Sequence, residues 1–315
     1  MLRLIQNEYK KIFSHYGIYL MLGFLIIFIV GHGIFIKMHS EHGKSYGANW
    51  KQELQMQNSK LIKESQEMPE NFLAYEYNKK TIALNEYRIQ HNIPPENTNS
   101  LWTFILSNKP FLSFISLFII ALAATSISSE FNRGTINLIM VRPISRFSFL
   151  LSRYMVIVSL CFILIIMLVL LSIGVGYLLF GNSELNTYLV YHNGQVFEEG
   201  VVLYISRYFL FASIDIIAIS SIAFMISTLF QKNTLSLVMS LCIYFMAGTT
   251  MRILAQKYDW TKYIIFSNTD LNMYYTGDIL IKGMSLSFSV IIVLLYLFAF
   301  LLISFTTFIK RDIIT

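Results

Sequence analysis

Few residues in this chain have types and spacing that could do chemistry. Asp215 lies inside a long hydrophobic run. A carboxylate at membrane depth is costly and ordinarily faces a bundle interior, a cavity or a partner. Asp215 could serve proton or cation coupling, or it could be a hydrogen-bonded structural residue beside Ser213 and Ser220. His39 and His42 are three apart, a spacing that could hold a metal on a helix, but no third ligand stands nearby and no metal site is expected. No GxxxxGK[ST], HExxH, CxxC pair or GxSxG pattern occurs, so no catalytic site is expected and the chain reads as a non-enzyme. One polar stretch remains. Residues 128–149, SSEFNRGTINLIMVRPISRFSF, set Arg133, Arg142 and Arg146 against one acid, Glu130.

The elements that must position these residues are membrane spans. Of 315 residues, 55% are hydrophobic and 13% charged, against about 25% charged in a soluble domain. Six runs are long enough to cross a bilayer as helix, at 17–36, 110–128, 150–180, 201–230, 235–252 and 285–309. They do not alternate in polarity as barrel strands would. The fold class is therefore an all-α polytopic membrane protein, a single membrane domain over 1–315 with 37–109 an external insertion. No small-residue cleavage site follows the first run, which reads as an uncleaved span. Cys161 and Cys242 sit inside spans and read as core residues.

Six spans put both termini on one side. That side holds ten Lys and Arg (Arg3, Lys10, Lys11, Arg133, Arg142, Arg146, Arg153, Lys232, Lys310, Arg311) against three acids, Glu8, Glu130 and Asp312. The opposite side is neutral. Short loops rich in Lys and Arg stay cytoplasmic, which places both termini and the 128–149 loop inside a cell membrane. The basic balance then reflects topology, and no nucleic-acid partner is implied.

Residues 1–16 form an amphipathic helix: Leu2, Ile5, Tyr9, Ile12, Phe13 and Tyr16 share a face, with Arg3, Lys10 and Lys11 off it. Such a helix sits with its apolar side in the acyl boundary and its lysines toward lipid headgroups. The insertion 37–109 reads as a helical hairpin, with Trp50, Leu54, Leu61 and Ile62 on one helix and Leu73, Tyr77, Leu84 and Tyr87 on the other. Its role as gate, docking site or spacer is open. The loop 181–200 is acidic and turn-rich. Residues 253–284 crowd tyrosines and Trp260 into short helices expected at the outer interface, packed on the fifth and sixth spans. Arg207 and Arg252 can snorkel to headgroups.

In the 128–149 loop, Glu130, Arg133, Gly134 and Asn137 fall on one helical face at i, i+3, i+4 and i+7, and Arg142-Pro143 closes the helix. A short helix with its polar side to the cytosol follows. Taken alone, it could be an ordinary solvated loop. The pattern E-x-x-x-GTI followed by RP-(I/V)-SR, directly after the second span, resembles the inner loop of type 2 ABC exporter permeases. Here it is Glu130, Gly134, Thr135, Ile136, Arg142, Pro143, Ile144, Ser145 and Arg146. The six-span layout and N-terminal interfacial helix are similar as well. Permeases of bacterial self-protection systems against peptide antibiotics are nearest in layout, although the long external hairpin departs from the shortest members.

The resemblance implies a coupling helix seated in a groove of a separate ATP-binding subunit, with two permeases, identical or paralogous, paired with two ATPases. It implies partner contacts at Glu130, Arg133, Gly134, Thr135, Asn137, Arg142, Pro143 and Arg146, ATP and Mg bound by the partner, no cofactor in this chain, and a hydrophobic or amphipathic substrate moving out of a bacterial cell. Two other functions fit the residues: an ion-coupled secondary transporter using Asp215, and a membrane sensor or scaffold that transports nothing.

Overall fold

A computed structural model describes residues 1–39, 49–67, 73–95, 100–137, 144–181, 187–192, 194–281 and 283–311. Among the described residues, six helices are long and apolar enough to cross a membrane. The first is α2 (Tyr16–His39), preceded by the short α1 (Leu2–Phe13). The second is built from α5 (Leu101–Ser107) and α6 (Leu112–Ser126) and leads into a five-residue α7 (Ser128–Asn132). The others are α8 (Arg146–Phe180), α9 (Val201–Leu229), α10 (Asn233–Ala255) and, after a short α11 (Met273–Thr276), α12 (Leu286–Lys310). The protein is an all-α polytopic membrane protein.

The second span begins earlier than the hydrophobic run suggests. Lys109-Pro110 interrupts α5–α6 as one 3-10 turn, Lys109–Phe111, rather than ending the helix. The lysine is tolerated because its Nζ donates to the Tyr204 hydroxyl at 3.1 Å and sits 4.0 Å from the centre of the Tyr208 ring. At 35 residues α8 is about 50 Å long and overreaches a hydrocarbon core of about 30 Å.

The bundle closes around α6 and α9. Ile115, Ile119, Ala123 and Ala124 of α6 and Ile216, Ala223 and Phe224 of α9 are buried in one core with Leu160, Cys161 and Leu164 of α8. Small residues at these contacts let backbones approach where lipid supplies no hydrophobic drive. Cys242, expected in the core, is exposed on α10.

Three features at one end of the bundle, here the distal end, differ from expectation in detail. The helical hairpin forms from α3 (Trp50–Gln66) and α4 (Leu73–His91). Leu54 is buried there as expected, but asparagines share the seam. Asn58, Asn78 and Asn85 are buried, with Asn85 donating to Asn58 at 2.8 Å and Asn78 to Ser65 at 3.2 Å, while Ile62 and Tyr77 face outward. The acidic 181–200 loop contains an antiparallel pair, β1 (Thr187–His192) and β2 (Gln195–Gly200), in register from Thr187↔Gly200 to His192↔Gln195. Gly194 closes it at φ +81°, a left-handed conformation that glycine adopts readily.

The aromatic 253–284 segment folds as two 3-10 turns, Asp259–Tyr263 and Ile265–Ser267, followed by α11. The buried Asn268 side chain holds it together by donating to the carbonyls of Lys262 and Ile264.

Candidate coupling site at the basic end of the bundle

At the opposite end lie α1, α7, the start of α8 and the last turns of α6, α9 and α12. Here the fold gathers most of the residues singled out in the sequence, but it divides them into two groups. Glu130 and Arg153 are each only 4% exposed. Arg153 Nη2 donates to Glu130 Oε1 at 2.7 Å, and its Nε lies 3.3 Å from Glu8 of α1. Lys11 of α1 donates to the same Glu130 oxygen, and the Thr135 hydroxyl donates to the other. Two cations and two carboxylates thus form a neutral quartet joining α1, α7 and α8. Burial alone would raise the Glu130 pKa, but the bonds from Arg153, Lys11 and Thr135 outweigh it and hold the carboxyl at about 2.

Glu130 and Thr135 therefore face inward, not toward a partner. The continuous helix expected across 130–142 stops at Arg133. The Arg133 and Gly134 amides bond back to the carbonyls of Ser129 and Phe131, and Gly134 takes φ +69°. This is a left-handed helix stop of the kind glycine provides. Nothing lies within 4 Å of a Cβ at Gly134, so its role here is backbone conformation rather than close packing. The break removes Glu130 and Asn137 from a common face. Arg133, Gly134 and Asn137 are exposed, as is Asn132 beside them. Arg142 and Pro143 lie outside the described residues.

Arg146 is also committed internally. Its Nη1 donates to the carbonyls of Ile309 and Arg311, at 2.9 and 2.8 Å. Arg311 in turn donates to the carbonyls of Thr228 and Leu229, at 3.0 and 2.9 Å. Arg153 donates to the carbonyl of Ser126. Three arginines thus serve the C-terminal ends of α12, α9 and α6, where unpaired carbonyls and the negative end of the helix dipole favour a cation. Ser227 secures the bend into α7 by accepting from the amides of Ile127 and Ser128, both at 3.0 Å. Charge counting registered Glu8, Arg153 and Arg311 without giving them a role. Arg153 does lie two helical turns after Arg146, which places both toward the same side of α8.

The amphipathic α1 turns its apolar stripe inward: Ile5, Tyr9 and Ile12 pack against the main core, and the Tyr9 hydroxyl donates to Ser159 at 2.6 Å. Lys11 faces Glu130 rather than headgroups, whereas Arg3 and Lys10 are exposed.

Asp215 is remote from this site. It belongs to α9 and accepts a hydrogen bond from Thr269 of the distal aromatic segment. Arg207 does not snorkel freely: it pairs with Glu199 of β2 and lies 3.7 Å from the centre of the Tyr275 ring. Among the described residues no cluster of three metal-ligating side chains occurs.

Comparison with known sequences places this architecture. A family described as proteins of unknown function (DUF2705) matches residues 70–314, from the second helix of the hairpin to the end of α12 and beyond. The chain belongs to this family. Uncharacterized protein YhcI of Bacillus subtilis (strain 168) is 38% identical over 316 residues, covering 99% of each chain. Uncharacterized membrane protein YdbK of the same organism is 26% identical over 213 residues, covering 66% of this chain and 82% of its own.

Proposed function

We propose that this chain is the permease subunit of a type 2 ABC exporter in a bacterial cell membrane, with its basic end in the cytoplasm. It provides the path for a hydrophobic or amphipathic substrate and docks a separate ATP-hydrolysing subunit on the turn around Arg133–Asn137. A second permease and a second ATPase complete the assembly. Peptide antibiotics are the substrate class we favour, from layout alone.

The observation that carries this reading is the charged quartet. An exposed turn is joined through Glu130 and Thr135 to α1 and to the 35-residue α8. A partner that displaces the turn displaces these helices with it, because pulling the buried Glu130 away from Arg153 and Lys11 leaves its charge uncompensated. The roles divide accordingly. Arg133 and Asn137 contact the ATPase, Glu130, Thr135, Lys11 and Arg153 transmit its movement, and Arg146 and Arg311 hold the ends of the neighbouring spans. ATP and Mg belong to the partner, which accounts for a transport chain without a P-loop. The name of YdbK as a membrane protein agrees with the setting.

The test is co-purification in mild detergent from native membranes. A stoichiometric subunit bearing a P-loop, identified by mass spectrometry, should accompany the wild-type chain and be lost from Arg133→Glu. A wild-type chain that carries no such subunit refutes the function. A variant that retains it refutes the docking role of Arg133.

A further inference from the structure

A groove of about 480 Å³ runs along the outside of the bundle between α2 and α6, within the size range of roughly 300–1,000 Å³ typical of single-ligand sites. Gly17, Met21, Phe24 and Phe28 form one wall, with Phe114 and Ile115 on the other. No charged or polar side chain lines it. We infer that this groove holds one acyl chain of an anionic phospholipid from the leaflet at the basic end, with the headgroup at the α1–α2 elbow.

Length supports this occupant. From Gly17 to Phe28 the groove follows α2 for about 16 Å, and one leaflet contributes about 15 Å of hydrocarbon. The inner end is shut. Phe28 stacks on Phe114 with ring centres 5.2 Å apart and meets Phe111 at 6.2 Å. One turn further along α2, His32 bonds Asn108 at 2.8 Å, and Asn108 donates to Ser172 at 2.9 Å, a polar layer that an alkyl chain would not enter.

The outer end is open and basic. Gly17 has nothing within 4 Å of a Cβ position, and the residues around the elbow include exposed Lys10 and His15. The single acid of this segment, Glu8, faces Arg153. Cations at that depth attract anionic headgroups. A helix of a second copy is about 10 Å across and would need a channel continuing through the bilayer, whereas the phenylalanines close this one midway. The site is independent of what drives transport.

The test uses the full chain in phosphatidylglycerol vesicles containing a trace of phosphatidylglycerol with a mid-chain diazirine. After irradiation, labelled peptides are mapped. The groove residues of α2 and α6 should carry several-fold more label than the exposed Phe245 and Met246 of α10 or Leu294 and Leu295 of α12. Leu20 also lines the groove; Leu20→Trp, which fills it, should reduce α6 labelling to the level of those controls, and if that variant is unstable, Gly17→Phe closes the mouth instead. The same probe on phosphatidylcholine, in phosphatidylcholine vesicles, should label the groove several-fold less. Uniform labelling of all lipid-facing helices, equal labelling by the two headgroups, or cross-links between copies at Phe24 in place of lipid label would each overturn the inference.

Discussion

Replacing Glu130 by Gln removes a charge on which the basic end depends. The carboxylate accepts from Arg153, Lys11 and Thr135, and with it gone Lys11 loses its ion pair while Arg153 keeps Glu8 and the Ser126 carbonyl. A carboxyl held at about 2 instead of the usual 4.5 prefers its ionised form by about 3 kcal/mol at neutral pH. That is the low end of the roughly 3–5 kcal/mol lost when one partner of a buried pair is removed. For a chain of this size the loss corresponds to a fall of roughly 4–5 °C in Tm. Because the folded pKa lies below the unfolded one, the contribution is complete above about 4.5 and disappears as pH falls from there toward about 2.

Thermal unfolding of wild type and E130Q in one detergent, from neutral pH down through that window, reads both effects. The two Tm values should differ at neutral pH and converge on acidification. Adding Arg153→Met to E130Q should cost less than the sum of the single changes, since both halves of the pair are then gone. An E130Q protein that melts like wild type at neutral pH, or a difference that does not narrow on acidification, would refute the role assigned to the quartet.

Gly134→Ala forces a Cβ into φ +69° and should destabilise by about 1 kcal/mol. Gly23→Ala, in mid-helix with nothing within 4 Å of the new Cβ, should be neutral or stabilising; equal effects at both sites would contradict the helix-stop role of Gly134. Arg146→Ala removes the donor to the carbonyls of Ile309 and Arg311 and should cost about 1–3 kcal/mol. Hydrogen exchange should quicken in the last turn of α12 while that of α9, held by Arg311, is unchanged. Unaltered exchange in α12 would exclude the capping role.

The spans were legible in the sequence because a 20-residue apolar run has few folds open to it in a bilayer. The start of the second was missed where Lys109-Pro110 imitates a boundary, since the tyrosines that accommodate the lysine come from α9. Asn193-Gly194 between alternating residues is a hairpin signal that composition alone, acidic and turn-rich, concealed. In the candidate site, helical periodicity carried through Gly134 puts Glu130 on the surface, but a left-handed glycine there breaks the phase between Glu130 and the residues that follow. Arg153 could not be assigned from local pattern at all. Its partners Glu8 and Glu130 lie on α1 and α7, and only tertiary packing brings the three together. Charge counting nevertheless grouped α1, the 128–149 loop, Lys232 and the end of α12 on one side, and the fold gathers these segments at one end of the bundle.

The central claim is that an ATPase docks on the exposed turn at the basic end. A photoreactive amino acid at position 137, irradiated in intact native membranes, tests it directly, with exposed position 59 on α3 at the distal end as control. The account predicts a single cross-linked product at 137 whose partner carries a P-loop, and none at 59. Cross-linking of such a protein at 59 but not at 137, or at neither, would contradict it.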